Sequence, residues 1–525
     1  MTVNTSESTR EYQEIKTMAR GGSLIFIGTF ITYFLGYLIR IIVARAIGPS
    51  GYGLISLGLA VLGILISFSQ FGAYKGIMRF VSYYKAKNQQ EKTKGTIVSG
   101  MKFTFTTSVI FAVFMFLLAE KISISFFNEP NLVPLIQILS FALPFSVLVQ
   151  TFNSSMIGLK GVRYYVYTQD ILKNTTTLIF LLVIIFLFGK SIIPISFSYL
   201  LGFITTFLFA AYFMKSKILS TFGKAIKPVS TLRELLTFSW PLALINLLSI
   251  IISWSDTVFL GYFSTAQDVG IYNAALSTAS IITIISSSFG LVSIPVMSEL
   301  YSRKEYKKLK QIYRITTKWL FITTLPVFFV ILFLPQASLR LLFGSQYLGG
   351  VSSLIILSCG MFITTVLGLV GSFILAIGKT RTILFLNLAG AVVSILLNTT
   401  LIPYIGITGA AIAKSFTQAL PATLGLLFIY YHIKSHPFSF TLLKPFIAAV
   451  LAMALIYPLA SHFLSIYSSL ILLMFAFLYL SIYFVFLLLM RTLEKEDLIV
   501  LEAVAKKIGV KPKFVEKIID KFTKR

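Results

Sequence analysis

Long apolar runs alternate with short polar gaps along nearly the whole of this 525-residue chain. A run of about twenty residues, at ~1.5 Å per residue in a helix, crosses the hydrocarbon core of a bilayer. Such runs occur at 22–44, 51–73, 101–119, 132–153, 168–189, 192–213, 236–261, 270–296, 319–340, 351–376, 383–403, 407–431, 443–465 and 468–490. The pattern predicts an all-α integral membrane protein of about fourteen transmembrane helices. So many spans leave no room for a soluble domain. The longest piece outside them is the tail from Thr492, whose Leu, Ile and Val spacing predicts two short amphipathic helices divided near Gly509 and Pro512.

Charge changes the picture by giving the spans a direction. Lys and Arg number 45 against 18 Asp and Glu, a formal excess of +27, and nearly all of it lies in every second gap. It fills the N-terminal arm (Arg10, Lys16, Arg20), the stretch from Lys75 to Lys94, the stretch from Lys215 to Arg233, the stretch from Arg303 to Lys318, and the tail. By the positive-inside rule that side is cytoplasmic, so both termini are expected inside a multi-pass cell-membrane protein. The excess then orients the chain and draws it to anionic lipid. No basic stretch sits on a soluble fold that could present it, so no nucleic-acid partner is expected. Glu7, Glu11 and Glu14 precede the first run and no small-residue cleavage site follows it, so that run is read as a retained anchor. One cysteine, Cys359, and three scattered histidines, His432, His436 and His462, predict no disulfide, no metal site and no cofactor.

The chain also repeats itself at an offset of about 217 to 219 residues. Gly53-Leu54-Ile55 corresponds to Gly270-Ile271-Tyr272, the basic stretch Tyr84 to Lys94 to Tyr301 to Lys310, and Lys160 with Arg163 to Lys379 with Arg381. The expected organisation is a cytoplasmic arm (1–20), a first six-helix lobe (21–233), a second six-helix lobe (234–433), helices 13 and 14 (434–490) and a cytoplasmic basic tail (491–525). An even number of spans gives both lobes the same orientation, related by an axis along the membrane normal. That is an architecture of alternating access.

Three stretches carry a family resemblance. Ala44-Arg45-Ala46-Ile47-Gly48-Pro49-Ser50-Gly51-Tyr52-Gly53, followed by Arg79-Phe80, resembles the opening of the Wzx-type polysaccharide flippases of the multidrug/oligosaccharidyl-lipid/polysaccharide exporter superfamily. Asp256-Thr257-Val258-Phe259-Leu260-Gly261 with Val269-Gly270-Ile271-Tyr272 resembles that family's seventh and eighth spans. The third is Gly378-Lys379-Thr380-Arg381, continuing through Asn387, Asn398 and Tyr404-Ile405-Gly406-Ile407-Thr408-Gly409. The resemblance covers spans 1 to 12 and implies export of an oligosaccharide linked to a polyprenyl or dolichyl diphosphate. Two further helices resemble the lipid II flippase branch. The family supplies no catalytic residue to carry over. Gly378-Lys379-Thr380 imitates the end of a nucleotide-binding loop, but the required first glycine falls on Phe373 and no strand precedes it. No nucleotide site is expected.

Charges inside spans cost a few kcal/mol (~2.5–3.5 at a helix centre), so each asks for a reason. Arg40 and Asp256 stand 216 residues apart, at equivalent depths in opposite lobes, and are expected to meet as an outer gate. Snorkelling to the interface is the competing role for Arg40. Lys414, about 10 Å into its span, is read as facing a wet cavity that attracts a diphosphate or acidic sugar. Asp170 and Lys173 are read as a local pair, with a substrate role for Lys173 as the alternative. Arg45 beside the outer loop is a further path candidate. Asn246, Asn387, Asn398 and Gln418 are polar candidates for sugar hydroxyls, or equally for interhelical bonds.

The alternatives are a cation-coupled multidrug exporter of the same superfamily and a membrane glycosyltransferase, polymerase or ligase. The first wants an acid in span 1, where this chain has Arg40. The second wants paired acids on a large outer loop, and the outer loops here carry only Glu120, Glu129 and Asp268. A non-enzymatic transporter of lipid-linked glycan is expected, with H⁺ or Na⁺ coupling left open.

Overall fold

The computed structural model describes residues 5–218, 226–367, 369–463 and 469–492. Within them each of the fourteen apolar runs falls on a helix, and no strand occurs among the described residues. The helices are α1 (Thr5–Gln70), α2 (Ala73–Ala86), α3 (Gln90–Leu117), α4 (Leu132–Gly158), α5 (Val162–Tyr165), α6 (Lys173–Phe188), α7 (Ile192–Phe213) and α8 (Leu232–Phe263). They continue as α9 (Ala266–Ser302), α10 (Tyr306–Phe333), α11 (Pro335–Leu342), α12 (Val351–Leu367), α13 (Leu369–Ala376), α14 (Thr380–Ile433), α15 (Leu443–Phe463) and α16 (Ser469–Leu489). Ten helices among the described residues are long and apolar enough to cross a membrane. Exposed side chains such as Phe186, Leu117 and Leu208 give them the apolar outer surface that lipid, and not water, would cover. The expected amphipathic tail helices lie outside the described residues.

Two of the long helices hold two spans each. α1 breaks at Gly48, where φ is 69°, and Pro49 opens the next helix with its preset φ and missing N–H. α14 breaks at Ile405 and Gly406, the glycine at φ 53°. An L side chain resists that left-handed backbone and glycine does not. The spans therefore turn without a loop.

The chain forms two compact units. The first comprises Met1–Ala274 and Asn387–Ala413. Its core includes Ala73, Ile77 and Val81 of α2, Ile97 of α3, Phe152 and Met156 of α4, and Leu235 of α8. α8, which the sequence assigns to the second lobe, packs here against α1 and α2. The second unit comprises Ala275–Leu386 and Lys414–Arg525. Leu309, Tyr313 and Leu320 of α10 meet Phe373 and Ile374 of α13 and Ile429 of α14 in its core. There Tyr483 of α16 donates to the carbonyl of Ile322 on α10 at 3.0 Å, tying the last apolar run to the ninth through a satisfied buried hydroxyl.

Candidate functional site

Three consecutive polar residues, Ser255, Asp256 and Thr257, are buried in the otherwise apolar α8 of the first unit. Burying polar groups is costly unless each is met by a partner, so they collect partners from neighbouring helices. Asp256, fully buried, accepts a hydrogen bond from the Tyr272 hydroxyl of α9 at 2.5 Å. Thr257 donates to Asn273 Oδ1 at 3.5 Å, and Asn273 donates on to the Val269 carbonyl at 2.9 Å. Ser255 shares a 2.6 Å bond with Ser394 of α14. One turn further along α14, Asn398 donates to the Ser394 carbonyl at 2.8 Å and reaches both serine hydroxyls at 3.3 Å. Its Oδ1 is buried and has no donor among the described residues.

The start of α9 is fixed by acids. Glu129 accepts from the Ala266 N–H at 2.9 Å, while Thr265 and Asp268 cap each other, Thr265 Oγ1 donating to the carboxylate at 2.9 Å. A carboxylate there complements the positive end of the helix dipole. Tyr272 and Asn273 follow within two turns, so this cap sets where they point.

Arg40 and Arg45 are exposed on α1, with Arg40 acting electrostatically on Tyr199 of α7. Asn246 accepts from the Tyr74 hydroxyl at 3.1 Å, and Asn387 is half-buried. Lys173 lies with its ammonium 5.3 Å from the Phe203 ring centroid. Asp170 accepts instead from Thr32, whose hydroxyl reaches its carbonyl at 3.0 Å and its carboxylate at 3.1 Å. The expected contact pair between Asp170 and Lys173 is therefore replaced by separate partners, although the two still attract. The reason is local. Val166–Leu172 is π-helical, and its wider turn swings position i+3 off the face of position i. In the second unit, Lys414 is buried at 5% exposure on α14 and Gln418, one turn on, is half-buried.

The structure thus brings Asp256 and Asn398 into one polar cluster and adds Ser255, Tyr272, Asn273 and Ser394, which sequence reasoning did not single out. The signal was present: Ser394 and Asn398 stand one helical turn apart in an apolar run, and a Ser-Asp-Thr triplet in a span has no apolar role.

Long apolar helices, one of them carrying a buried acid met by hydrogen-bonding side chains of its neighbours, are the build of a multi-span membrane transporter. The chain belongs to the polysaccharide biosynthesis protein family, whose profile matches residues 18–301. The MatE profile matches residues 241–400. The membrane protein MJ1068 of Methanocaldococcus jannaschii is 25% identical over 361 residues, covering 66% of this chain and 71% of that protein. A Shigella flexneri protein assigned as an O-antigen transporter is 23% identical over 354 residues, covering 66% of this chain and 81% of its own. The structure of lipid II flippase MurJ in an inward closed conformation superposes with a TM-score of 0.66 at 18% identity, covering 88% of this chain and 97% of that one. The fold is that of the multidrug/oligosaccharidyl-lipid/polysaccharide exporter superfamily, as the motifs implied.

Proposed function

We propose that the protein turns an oligosaccharide linked to a polyprenyl or dolichyl diphosphate from the inner to the outer leaflet of the cell membrane by alternating access, with both termini in the cytoplasm. The observation that carries this reading is the polysaccharide biosynthesis profile over residues 18–301. The presence of α15 and α16 beyond the twelve spans of the repeat supports it, as does the O-antigen transporter among the relatives. In this reading the path and its gate are served by Arg40, Arg45, Lys173, Asp256 and Lys414. A buried ammonium such as Lys414 suits a diphosphate, since a charge held away from bulk water attracts more strongly. Asn246, Asn387, Asn398 and Gln418 serve sugar hydroxyls, and Asp256 is the acid placed to couple transport to H⁺ or Na⁺. An enzymatic reading finds little support, because Glu129 and Asp268 are engaged as helix caps.

The test is transport in reconstituted vesicles. Protein-dependent appearance of lipid-diphosphate sugar in the far leaflet, lost in Lys414→Met, is the expected result. Export of cationic dyes without movement of lipid-linked sugar would overturn it in favour of the drug exporter that the MatE match admits.

A further inference from the structure

In the second unit a cavity of about 460 Å³ lies between the first turns of α10 and the segment 434–442 that leads from α14 to α15. Lys307, Lys310, Arg314 and Lys318 recur every three or four residues and so form one stripe down α10. All four line the cavity, and Lys434 faces them from the linker. No carboxylate is among the described lining residues. The acids nearby in the chain are already engaged outside it: Glu299 pairs with Arg303 at 2.7 Å, and Glu305 with Lys308 at 2.6 Å. The hydrogen bond from Lys308 holds the Glu305 carboxyl below its ordinary range. Lys318 is sunk to 5% exposure. The positive-inside rule accounts for cations scattered along a gap. It does not account for five converging on one concavity.

The other half of the repeat shows how the cavity arises. α3 and α10 are both 28 residues long and start 216 residues apart. At equivalent positions Lys94 donates to the Ile226 carbonyl at 2.8 Å and Lys310 to the Lys434 carbonyl at 3.2 Å, so each helix ties down the linker that leaves its own lobe. The next residue differs. On α3 it is Gly95, where a methyl group would overlap the Val229 carbonyl, and the linker lies flat, with Val229 N–H donating to the Glu91 carbonyl at 3.2 Å and Thr96 and Thr231 sharing a 2.9 Å bond. On α10 it is Gln311, which lines the cavity at the position where the glycine of the other copy lets the linker lie flat. Further along, the apolar Val98 of α3 is replaced by Arg314 on α10. One fold element, built twice, is zipped shut in one copy and open and charged in the other.

We propose that this cavity binds a phosphate-bearing anion, either the headgroup of an anionic phospholipid or a soluble diphosphate. A cavity lined by Lys307, Lys310, Lys434 and Arg314 suits a multiply charged ligand, and the arginine offers the two-pronged donor geometry that phosphate oxygens match. None of the lining residues is a candidate for the transport path, so the site stands whatever the cargo is.

The experiment follows thermal unfolding of the full-length protein in zwitterionic detergent. One arm adds phosphatidylglycerol against phosphatidylcholine, and the other adds sodium diphosphate against sodium chloride of equal ionic strength. The wild type should show a saturable rise in its unfolding midpoint. The variant Lys307→Gln/Arg314→Gln should need about ten-fold more ligand or worse, given the loss of two charge-assisted bonds. Lys87→Gln/Arg163→Gln, which removes the same charge from exposed positions of the first unit, should respond as wild type. A response to phosphatidylglycerol alone assigns the headgroup; a response to diphosphate assigns the phosphate group itself. No response in either arm, or equal weakening in both double variants, overturns the site. Should the cavity variant fold poorly, Gln311→Gly decides without any change of charge: weaker binding supports the cavity, and undiminished binding overturns it.

Discussion

Gly53 and Gly270, 217 residues apart in the chain and equivalent in its repeat, lie back to back where α1 meets α9. A methyl group on Gly53 would overlap the Ala266 carbonyl, and one on Gly270 would overlap the Pro49 carbonyl. Helices approach this closely in membranes only where small residues let backbones touch. Gly270→Ala is expected to destabilise the protein by about 1–3 kcal/mol through overpacking. Gly53→Ala should cost a similar amount, and because both open the same contact their effects should fall short of adding. Thermal unfolding in detergent measures all three variants.

Tyr272→Phe removes a hydroxyl donor from a fully buried carboxylate. The expected loss is about 1–3 kcal/mol, since a buried acceptor stripped of a donor keeps its desolvation cost. Asp256→Asn keeps an oxygen for Tyr272 and should unfold closer to wild type while transport falls, if Asp256 carries the coupling proton or cation. Parallel unfolding and vesicle transport curves separate the two effects; a transport-competent Asp256→Asn protein ends the coupling role.

Asn398→Ala should be milder than Tyr272→Phe despite equal burial. Ser255 and Ser394 keep their mutual bond, and the unpartnered Asn398 Oδ1 disappears with the side chain. A cost of roughly 1 kcal/mol or less is expected. A drop in the unfolding midpoint larger than that of Tyr272→Phe would contradict the arrangement.

The Tyr84 hydroxyl on α2 donates to the Glu234 carboxylate at the start of α8. Burial, reinforced by that bond and by the charge of Glu234, pushes the phenol up to about 12 from 10.0. A raised folded-state value means the neutral phenol binds its proton more tightly in the folded protein. Its contribution is therefore fully present below about pH 10 and is lost as pH climbs toward 12. Wild-type stability should fall across that window more steeply than that of Tyr84→Phe, as unfolding midpoints at stepped alkaline pH would show.

The spans were legible because apolar runs of bilayer length have few other uses, and the two loopless joints were legible as gaps at Gly48-Pro49 and Ile405-Gly406. The separate amphipathic α2 was hidden because its apolar face, with Ala73, Ile77 and Val81, prolongs the second run without a break. The π-helical stretch at Val166–Leu172 was hidden for a different reason: a shift from i→i+4 to i→i+5 bonding leaves no mark in composition, and it undid the pairing of Asp170 with Lys173. Within the polar cluster, Asp256 and Asn398 stood out as polar residues in apolar runs. Tyr272 did not, because a tyrosine in a span reads equally well as packing until the carboxylate opposite it is seen.

The joints at Gly48 and Gly406 bear on how the protein is made. A pair of spans with no loop between them has almost nothing hydrophilic to haul through the bilayer, so each pair can leave the translocon together as one hairpin, its orientation decided in a single event by the basic residues at its open end. For the first pair, those residues are synthesised on both sides of the hairpin, from Arg20 to Lys75. The charges that orient the first pair would then all be in place before α3 has left the ribosome.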